Sequence, residues 1–271
     1  MSPPAIRPRK SLGQNFLRDE NIARKIIAAI NPSDSDIVVE IGPGEGVLTK
    51  HLAGRVKHLL AVEIDRRAVE RLNESLPQGA VEILHADFLK LDLEQVSQRF
   101  QRCFRVIGNI PYNITSPILF MILDGRSVIQ DATLMVQKEV AARITAKPGS
   151  KDYGIPSVFF QLFCDVERLF DVSPQAFFPR PRVMSSIIHI KPLRAPRFPV
   201  KDEQFFQAMV RAVFGKRRKM LRNSLTPFLE QRGLAVPSSI DLSQRPEELP
   251  VAALVDLSNA ILFRRTRGEK E

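Results

Sequence analysis

Residues 105–118, RVIGNIPYNITSPI, contain a group of side chains that chain packing alone does not call for. Pro111 has no backbone N–H, so the apolar run Val106-Ile107-Gly108 must end just before it if that run is a buried strand. Asn109 is then left at the strand's carboxyl end with its amide, and Tyr112 with a flat aromatic face. These groups suit the exocyclic amine of an adenine, whose nitrogen lone pair is delocalised into the ring and is a poor nucleophile. The Asn109 side-chain oxygen and the Ile110 carbonyl can accept its two hydrogens and draw the nitrogen toward a tetrahedral geometry, in line with a methyl sulfonium. No strong general base is then needed. Tyr112 would stack on the base, which must leave its helical stack to be reached. Phe178, in the proline-stiffened FFPRPRV (177–183), could close on the other face; Phe177 and Phe178 also read as plain core residues.

Three further groups recur at similar spacing. EIGPGEG holds Glu40, Gly42, Gly44 and Gly46, and glycines at every second position let a loop approach a ligand closely, although an ordinary tight turn reads the same way. This is not the GxGxxG of dinucleotide enzymes. Glu63 can accept both hydroxyls of a ribose, or be a solvated acid beside Asp65. Asp87 can accept from an adenine amino group, or cap a helix. Together they are more specific. Gly42, Glu63, Asp87 and Asn109 are separated by 21, 24 and 22 residues, each after an apolar run. An adenosine-containing cofactor across those ends would meet them in order.

The elements that must hold these groups are short apolar strands alternating with helical stretches. The strands are IVVEI (37–41), HLLAVEID (58–65), VEILHADF (81–88), FRVIGNIPY (104–112), where the strand must finish before Pro111, and the start of ATLMVQKEVAARI (132–144), whose strand passes into a helix. Helical patterns begin at VLTKHLA and RRAVERLNESL. That alternation predicts an α/β domain with a parallel sheet covered by helices on both faces, where ligands bind beyond the strands' carboxyl ends. After Tyr153-Gly154 come a helical stretch, the strand CDVERLF, the loop SPQAFFPRPRV and a final strand SSIIHIK (185–191). PLRAPRFPV (192–200) reads as a linker. Three helical patterns follow, over 202–214, 216–231 and 250–263. Two domains are expected, 1–194 and 195–271.

The 271 residues carry a formal charge of +10, and the 77 from 195 on hold 14 Lys and Arg against 9 Asp and Glu. The excess points to a polyanionic partner, with Lys216, Arg217, Arg218, Lys219 and Arg222 of KRRKMLR as a basic helix contacting nucleic-acid phosphates, or as a solvated helix face. Arg7, Arg9 and Lys10 could add to that surface. Two cysteines without partner spacing and no secretory pattern at the start suggest a reduced, cytoplasmic setting. Four scattered histidines predict no metal, and the lack of any 18-residue apolar run predicts no membrane span.

The chain resembles the ribosomal RNA adenine N6-dimethyltransferase family, in particular its bacterial small-subunit branch. The likeness rests on SLGQNFL (11–17), VVEIGPGEGVLT, AVEID, ADFL, NIPYNITSPIL, VQKEVAARITAKPGSKDYG, FFPRPRVMSS and FGKRRKMLRNSL, and it covers nearly the whole chain. It implies the Rossmann-like fold of class I methyltransferases dependent on S-adenosylmethionine, a mostly parallel seven-stranded sheet with a small C-terminal helical domain. It also implies S-adenosylmethionine as donor and dimethylation of two adjacent adenosines near the 3′ end of 16S rRNA, in the small subunit or its precursor. By motif position, Asn15 and Leu17 line the cofactor site, Gly42 and Gly44 form its glycine turn, Glu63 holds the ribose, Asp87 the adenine, and Asn109 touches cofactor and target. Ile110 stands where many relatives have Leu. A monomer is expected. Three other readings stay open: a large-subunit rRNA methylase of the erythromycin-resistance type, which shares NIPY; a ribosome-assembly factor without catalysis; and an NAD-dependent oxidoreductase, against which the glycine spacing and NIPY argue.

Overall fold

A computed structural model describes residues 6–234, 236 and 241–268, without the side chains of 264–268. In chain order the elements are β1 (Phe16–Leu17), α1 (Glu20–Ile30), β2 (Ile37–Ile41), α2 (Thr49–Leu52), β3 (His58–Glu63), α3 (Arg66–Ser75), β4 (Glu82–His85), α4 (Leu93–Phe100), β5 (Phe104–Asn109) and α5 (Thr115–Asp124). Then come β6 (Ile129–Gln137), α6 (Lys138–Ile144), α7 (Ile155–Phe163), β7 (Cys164–Val172), β8 (Phe177–Phe178), β9 (Ser185–Pro192), α8 (Glu203–Phe214), α9 (Leu225–Glu230) and α10 (Val251–Gly268). The chain forms two compact units. One is built from the residues up to Ala141 with Glu167–Pro192, the other from Ala142–Val166 with the chain from Leu193 on. The units do not follow a single cut at 194: the stretch 142–166 clusters with the C-terminal helices.

The first unit is a seven-stranded sheet in the order β4-β3-β2-β5-β6-β9-β7. Neighbours from β4 through β6 are parallel, and β9 runs antiparallel to β6. All five residues of β2 are buried, as a central parallel strand requires. The sheet's carboxyl ends are where the chain leaves for its helices, and those turns are capped locally. Asp65 caps α3 by accepting from the Arg67 N–H, and Asp19 caps α1 through the N–H groups of Asn21 and Ile22. One side of the core joins Ile26 and Ile27 of α1 with Val38, Leu59, Ile107, Met135 and Ile187.

A charged residue interrupts this apolar layer at the other end of β5. Arg105 is buried, and its guanidinium forms a bidentate pair with Asp131 of β6 at 2.9 Å for both bonds. It also donates to Asp36 at 2.9 Å and to the Ile30 carbonyl that ends α1 at 2.8 Å. Burial alone would lower its pKa; Asp131 and Asp36 outweigh that and keep it charged.

In the second unit α7, α8, α9 and α10 pack around Phe159, Phe206, Leu225 and Leu254, all buried. The predicted helix over 216–231 is not one element. Lys216–Lys219 are a turn after α8, a single 3-10 turn spans Leu221–Asn223, and α9 starts at Leu225. Pro227 lacks the N–H that a helix running through it would need and restricts the residue before it, so only a short helix starting next to it survives. Four successive cations also disfavour a continuous helix over 216–219. KRRKMLR is therefore a turn and not a basic helix. No described helix is long and apolar enough to cross a membrane.

Candidate active site

Strand order places the four predicted groups side by side. β4, β3, β2 and β5 are consecutive in the sheet, so Asp87, Glu63, Gly42 and Asn109 follow one another along its carboxyl edge. The cleft beyond that edge is lined by residues from 12–16, 41–44, 62–64, 86–88 and 109–114.

Glu63 ends β3, buried at the base of the cleft. Its Oε2 accepts the Gly44 N–H at 3.0 Å and its Oε1 the Asp65 N–H at 2.8 Å. Each carboxylate oxygen keeps a second lone pair, now held in a fixed direction. Burial raises the Glu63 pKa, and the two backbone N–H groups counter that. The glycine turn supplies the space. Gly42 (φ +60°) has nothing within 4 Å of where a Cβ would be, so its backbone is open to a ligand. Gly44 (φ +57°) has the Phe16 ring 2.8 Å from that position, so a side chain there would displace Phe16. Ile64, next to Glu63, is apolar yet 49% exposed and borders the cleft. Asp87 reaches the cleft while its Oδ1 accepts the Leu89 N–H at 3.0 Å. Both readings of Asp87 are thus compatible: one oxygen caps a turn and the other remains.

Asn109 is the best-defined group. Its Nδ2 donates to the Asn15 carbonyl at 2.8 Å. A carbonyl only accepts, so the nitrogen must face Asn15 and Oδ1 is the atom left for the cleft. The Ile110 N–H donates to the Met135 carbonyl at 3.1 Å as the last link to β6, and Pro111 then turns the chain out of the sheet. Thr115 Oγ1 donates to the Pro111 carbonyl at 3.1 Å, bracing that turn. Tyr112 lines the cleft, and its hydroxyl shares a 2.8 Å hydrogen bond with Ser185 Oγ, which is buried on β9. Burial raises the Tyr112 pKa, so the ring stays neutral.

Two aromatic expectations divide. Phe177 is core, while Phe178 is 46% exposed with the Arg18 guanidinium 4.2 Å from its ring centroid. Phe178 pairs with Phe16 across the two-stranded β1–β8 ladder, which the sequence did not suggest. Asn15 lines the cleft. Leu17 does not: it is buried in the core and borders a smaller adjoining cavity with Glu40, Gly42 and Asn109.

Glu40 is buried in β2, and its Oε2 and the Thr49 hydroxyl have no hydrogen-bond partner among the described residues. Burial, helped by the negative charge of Glu63, pushes its pKa up to about 8. The folded protein thus holds a proton that the unfolded chain releases near 4.5. The stabilising contribution is full below that value and is lost as the pH rises to about 8. In the ligand-free protein Glu40→Gln is expected to stabilise at pH 8.5, by on the order of a few kcal/mol, and to make little difference near pH 5. Urea unfolding at the two pH values measures it; equal effects at both would refute the assignment.

Of the predicted RNA contacts, Lys216, Arg218, Lys219 and Arg222 are exposed. Arg217 is turned inward: it donates to the carbonyls of Tyr153 at 3.1 Å and Lys151 at 2.6 Å and lies 3.4 Å from Glu247. Its side chain is spent on holding the 147–154 loop. No cluster of three or more metal-binding side chains occurs among the described residues.

Comparison with known proteins agrees with this geometry. The family model described as ribosomal RNA adenine dimethylase matches residues 6–262. Ribosomal RNA small subunit methyltransferase A of Aromatoleum aromaticum is 44% identical over 97% of this chain and 97% of its own. A dimethyladenosine transferase from Plasmodium falciparum superposes with a TM-score of 0.74 at 26% identity, covering 93% of this chain and 98% of its own. The 23S rRNA methyltransferase ErmE gives a TM-score of 0.65 at 26% identity, over 91% of this chain and 99% of its own. A family match over that length, on a chain whose strand ends carry these groups, has one conclusion: the chain belongs to the ribosomal RNA adenine dimethylase family.

Proposed function

We propose that the protein dimethylates N6 of two adjacent adenosines in the 3′-terminal hairpin of 16S rRNA, on the small subunit or its precursor, as a cytoplasmic monomer. The observation that carries this reading is the fixed Asn109 amide, whose oxygen is left for a target amine. The first unit does the chemistry and the second supplies RNA contacts.

The residues of the cleft fit S-adenosylmethionine. Glu63 offers fixed acceptors for ribose hydroxyls, Asp87 a free oxygen for adenine, Ile64 an exposed apolar face, and Gly42 an open backbone. When bound, the cofactor supplies an electrophilic methyl on a sulfonium. The protein's part is to prepare the nucleophile. Asn109 Oδ1 and the Ile110 carbonyl take the two N6 hydrogens, withdraw the lone pair from the ring and aim it. Tyr112, held from behind by Ser185, stacks on the flipped base, and Phe178 closes on it. The surplus proton leaves to water once the nitrogen is alkylated, because a cationic arylamine is strongly acidic.

The test is tritiated methyl transfer to small subunits from a strain lacking the modification, with large subunits as control, followed by nucleoside separation. N6,N6-dimethyladenosine from small subunits alone supports the reading. Label in large-subunit RNA would favour the ErmE-like activity, and cofactor binding without transfer an assembly role. A second experiment separates the basic residues. Arg218→Ala with Lys219→Ala is expected to lower the salt slope of RNA binding by about two with unchanged stability. Arg217→Ala is expected to cost about 0.5–1.5 kcal/mol of stability, because it removes hydrogen bonds to the part-buried Tyr153 carbonyl and to the exposed Lys151 carbonyl. If Arg217→Ala proves neutral in urea unfolding, the stapling role is wrong.

A further inference from the structure

The chain ahead of α1 crosses the cleft as a strap, residues 6–17, and gives its wall Leu12, Gly13, Gln14, Asn15 and Phe16. It is tied down along its length. The Ile6 N–H donates to Glu45 Oε1 at 3.1 Å, and Arg67 donates to the Arg7 carbonyl at 3.1 Å. Further on, the Asn15 carbonyl accepts Asn109 Nδ2 at 2.8 Å. Gly13 (φ +61°) passes so close to the 109–113 turn that a Cβ there would come within 2.3 Å of Asn113 Oδ1.

Between those tethers lies Gln14, which uses both ends of its amide. Its Oε1 accepts the Arg9 N–H at 2.8 Å, within the strap. Its Nε2 donates to Asp65 Oδ2 at 3.0 Å, at the start of α3. Arg67 grips both oxygens of Asp65, donating from Nε to Oδ1 at 3.0 Å and from Nη2 at 2.5 Å to Oδ2, the oxygen that Gln14 also uses, and the Asp65 N–H holds Glu63. Gln14 therefore bolts the strap to the turn that carries the ribose acceptor, one residue before the carbonyl that orients Asn109. A carboxamide released from that carbonyl can rotate and present its NH2 to the target amine, donor against donor.

We propose that Gln14 is a positioning residue for methyl transfer: by tying the strap to Asp65 it holds the Asn15 carbonyl against Asn109, keeps the Asn109 oxygen toward the target, and slows escape of the nucleoside cofactor beneath the strap. This rests on the function proposed above. Gln14→Glu keeps the size and the acceptor for Arg9 but removes the donor and sets a carboxylate against Asp65. The expected result is a fall of about tenfold or more in single-turnover transfer at saturating substrates, with the KM for small subunits within about twofold. Release of S-adenosylhomocysteine accelerates to a similar degree, and the Ile6 and Arg9 amides of the free protein exchange faster with solvent. If Gln14→Glu does not fold, Gln14→Ala carries the same expectations. Parental transfer and release in the single variant would overturn the proposal, as would a rise in the KM for small subunits that accounts for the whole defect. An unmutated protein inactive on small subunits would refute the proposed function instead, and cofactor release and amide exchange would still decide the latch.

Discussion

Asn109→Ala is expected to cut the single-turnover rate by about a thousandfold while small-subunit affinity stays within about twofold. On the proposed mechanism the side chain supplies one of two acceptors that act only as the N6 amine pyramidalises, so its loss falls on the transition state and not on binding. Asn109→Asp is no milder. A carboxylate cannot donate to the Asn15 carbonyl, so two acceptors would face each other at the 2.8 Å now bridged by Nδ2. Single-turnover kinetics beside filter binding measures both quantities. A parallel loss of binding would mean that Asn109 holds the RNA or the fold and not the reacting amine.

Arg105→Ala is expected to destabilise the protein by about 3–5 kcal/mol, since it strands two carboxylates around an emptied guanidinium site. Asp131 and Asp36 each lie 2.9 Å from that guanidinium, and the Ile30 carbonyl loses its donor as well. For Asp36, burial alone would raise the pKa, but the Ser33 amide and Arg105 more than reverse this and leave it below 3.8. Its stabilising contribution is therefore present above that value and lost as the pH falls through the lower, folded pKa. Urea unfolding at neutral pH checks the size of the effect. Asp131→Asn added to Arg105→Ala should recover part of the loss, because one uncompensated charge is removed. A cost below about 1 kcal/mol would show that water reaches the pair and screens it.

What the sequence made legible was whatever is written as a local pattern. The apolar run at 37–41 became β2 without adjustment, the segment 104–112 became β5 over Phe104–Asn109, and Pro111 ended that strand for the reason its chemistry gives. The four groups at strand ends met because parallel strands joined by helical crossovers bring every carboxyl end to one edge. Contacts between distant segments were not legible. Arg105 interrupts an apolar run, and only the fold shows Asp36 and Asp131 converging on it from either side. Gln14 and Asp65 are 51 residues apart, and nothing in either neighbourhood names the other. KRRKMLRNSLTPFLEQ misled because apolar spacing outweighed Pro227, which confines the helix to α9. Arg217 counts as one more cation until the 147–154 loop folds back and claims it.

The strand order has a metric consequence. Asn109 is the last residue of β5 and Asp87 lies two residues past the end of β4, three strand steps away in the sheet. Adjacent strands are held about 4.8 Å apart by their hydrogen bonds, so the outer two strands are gauged at roughly 14 Å by the ladder itself. Crossover helices and loops can lengthen, shorten or change composition without altering the spacing of the strands themselves. The spacing of the strand ends that floor the cleft is thus set by backbone, the part of a protein that side-chain substitution cannot edit.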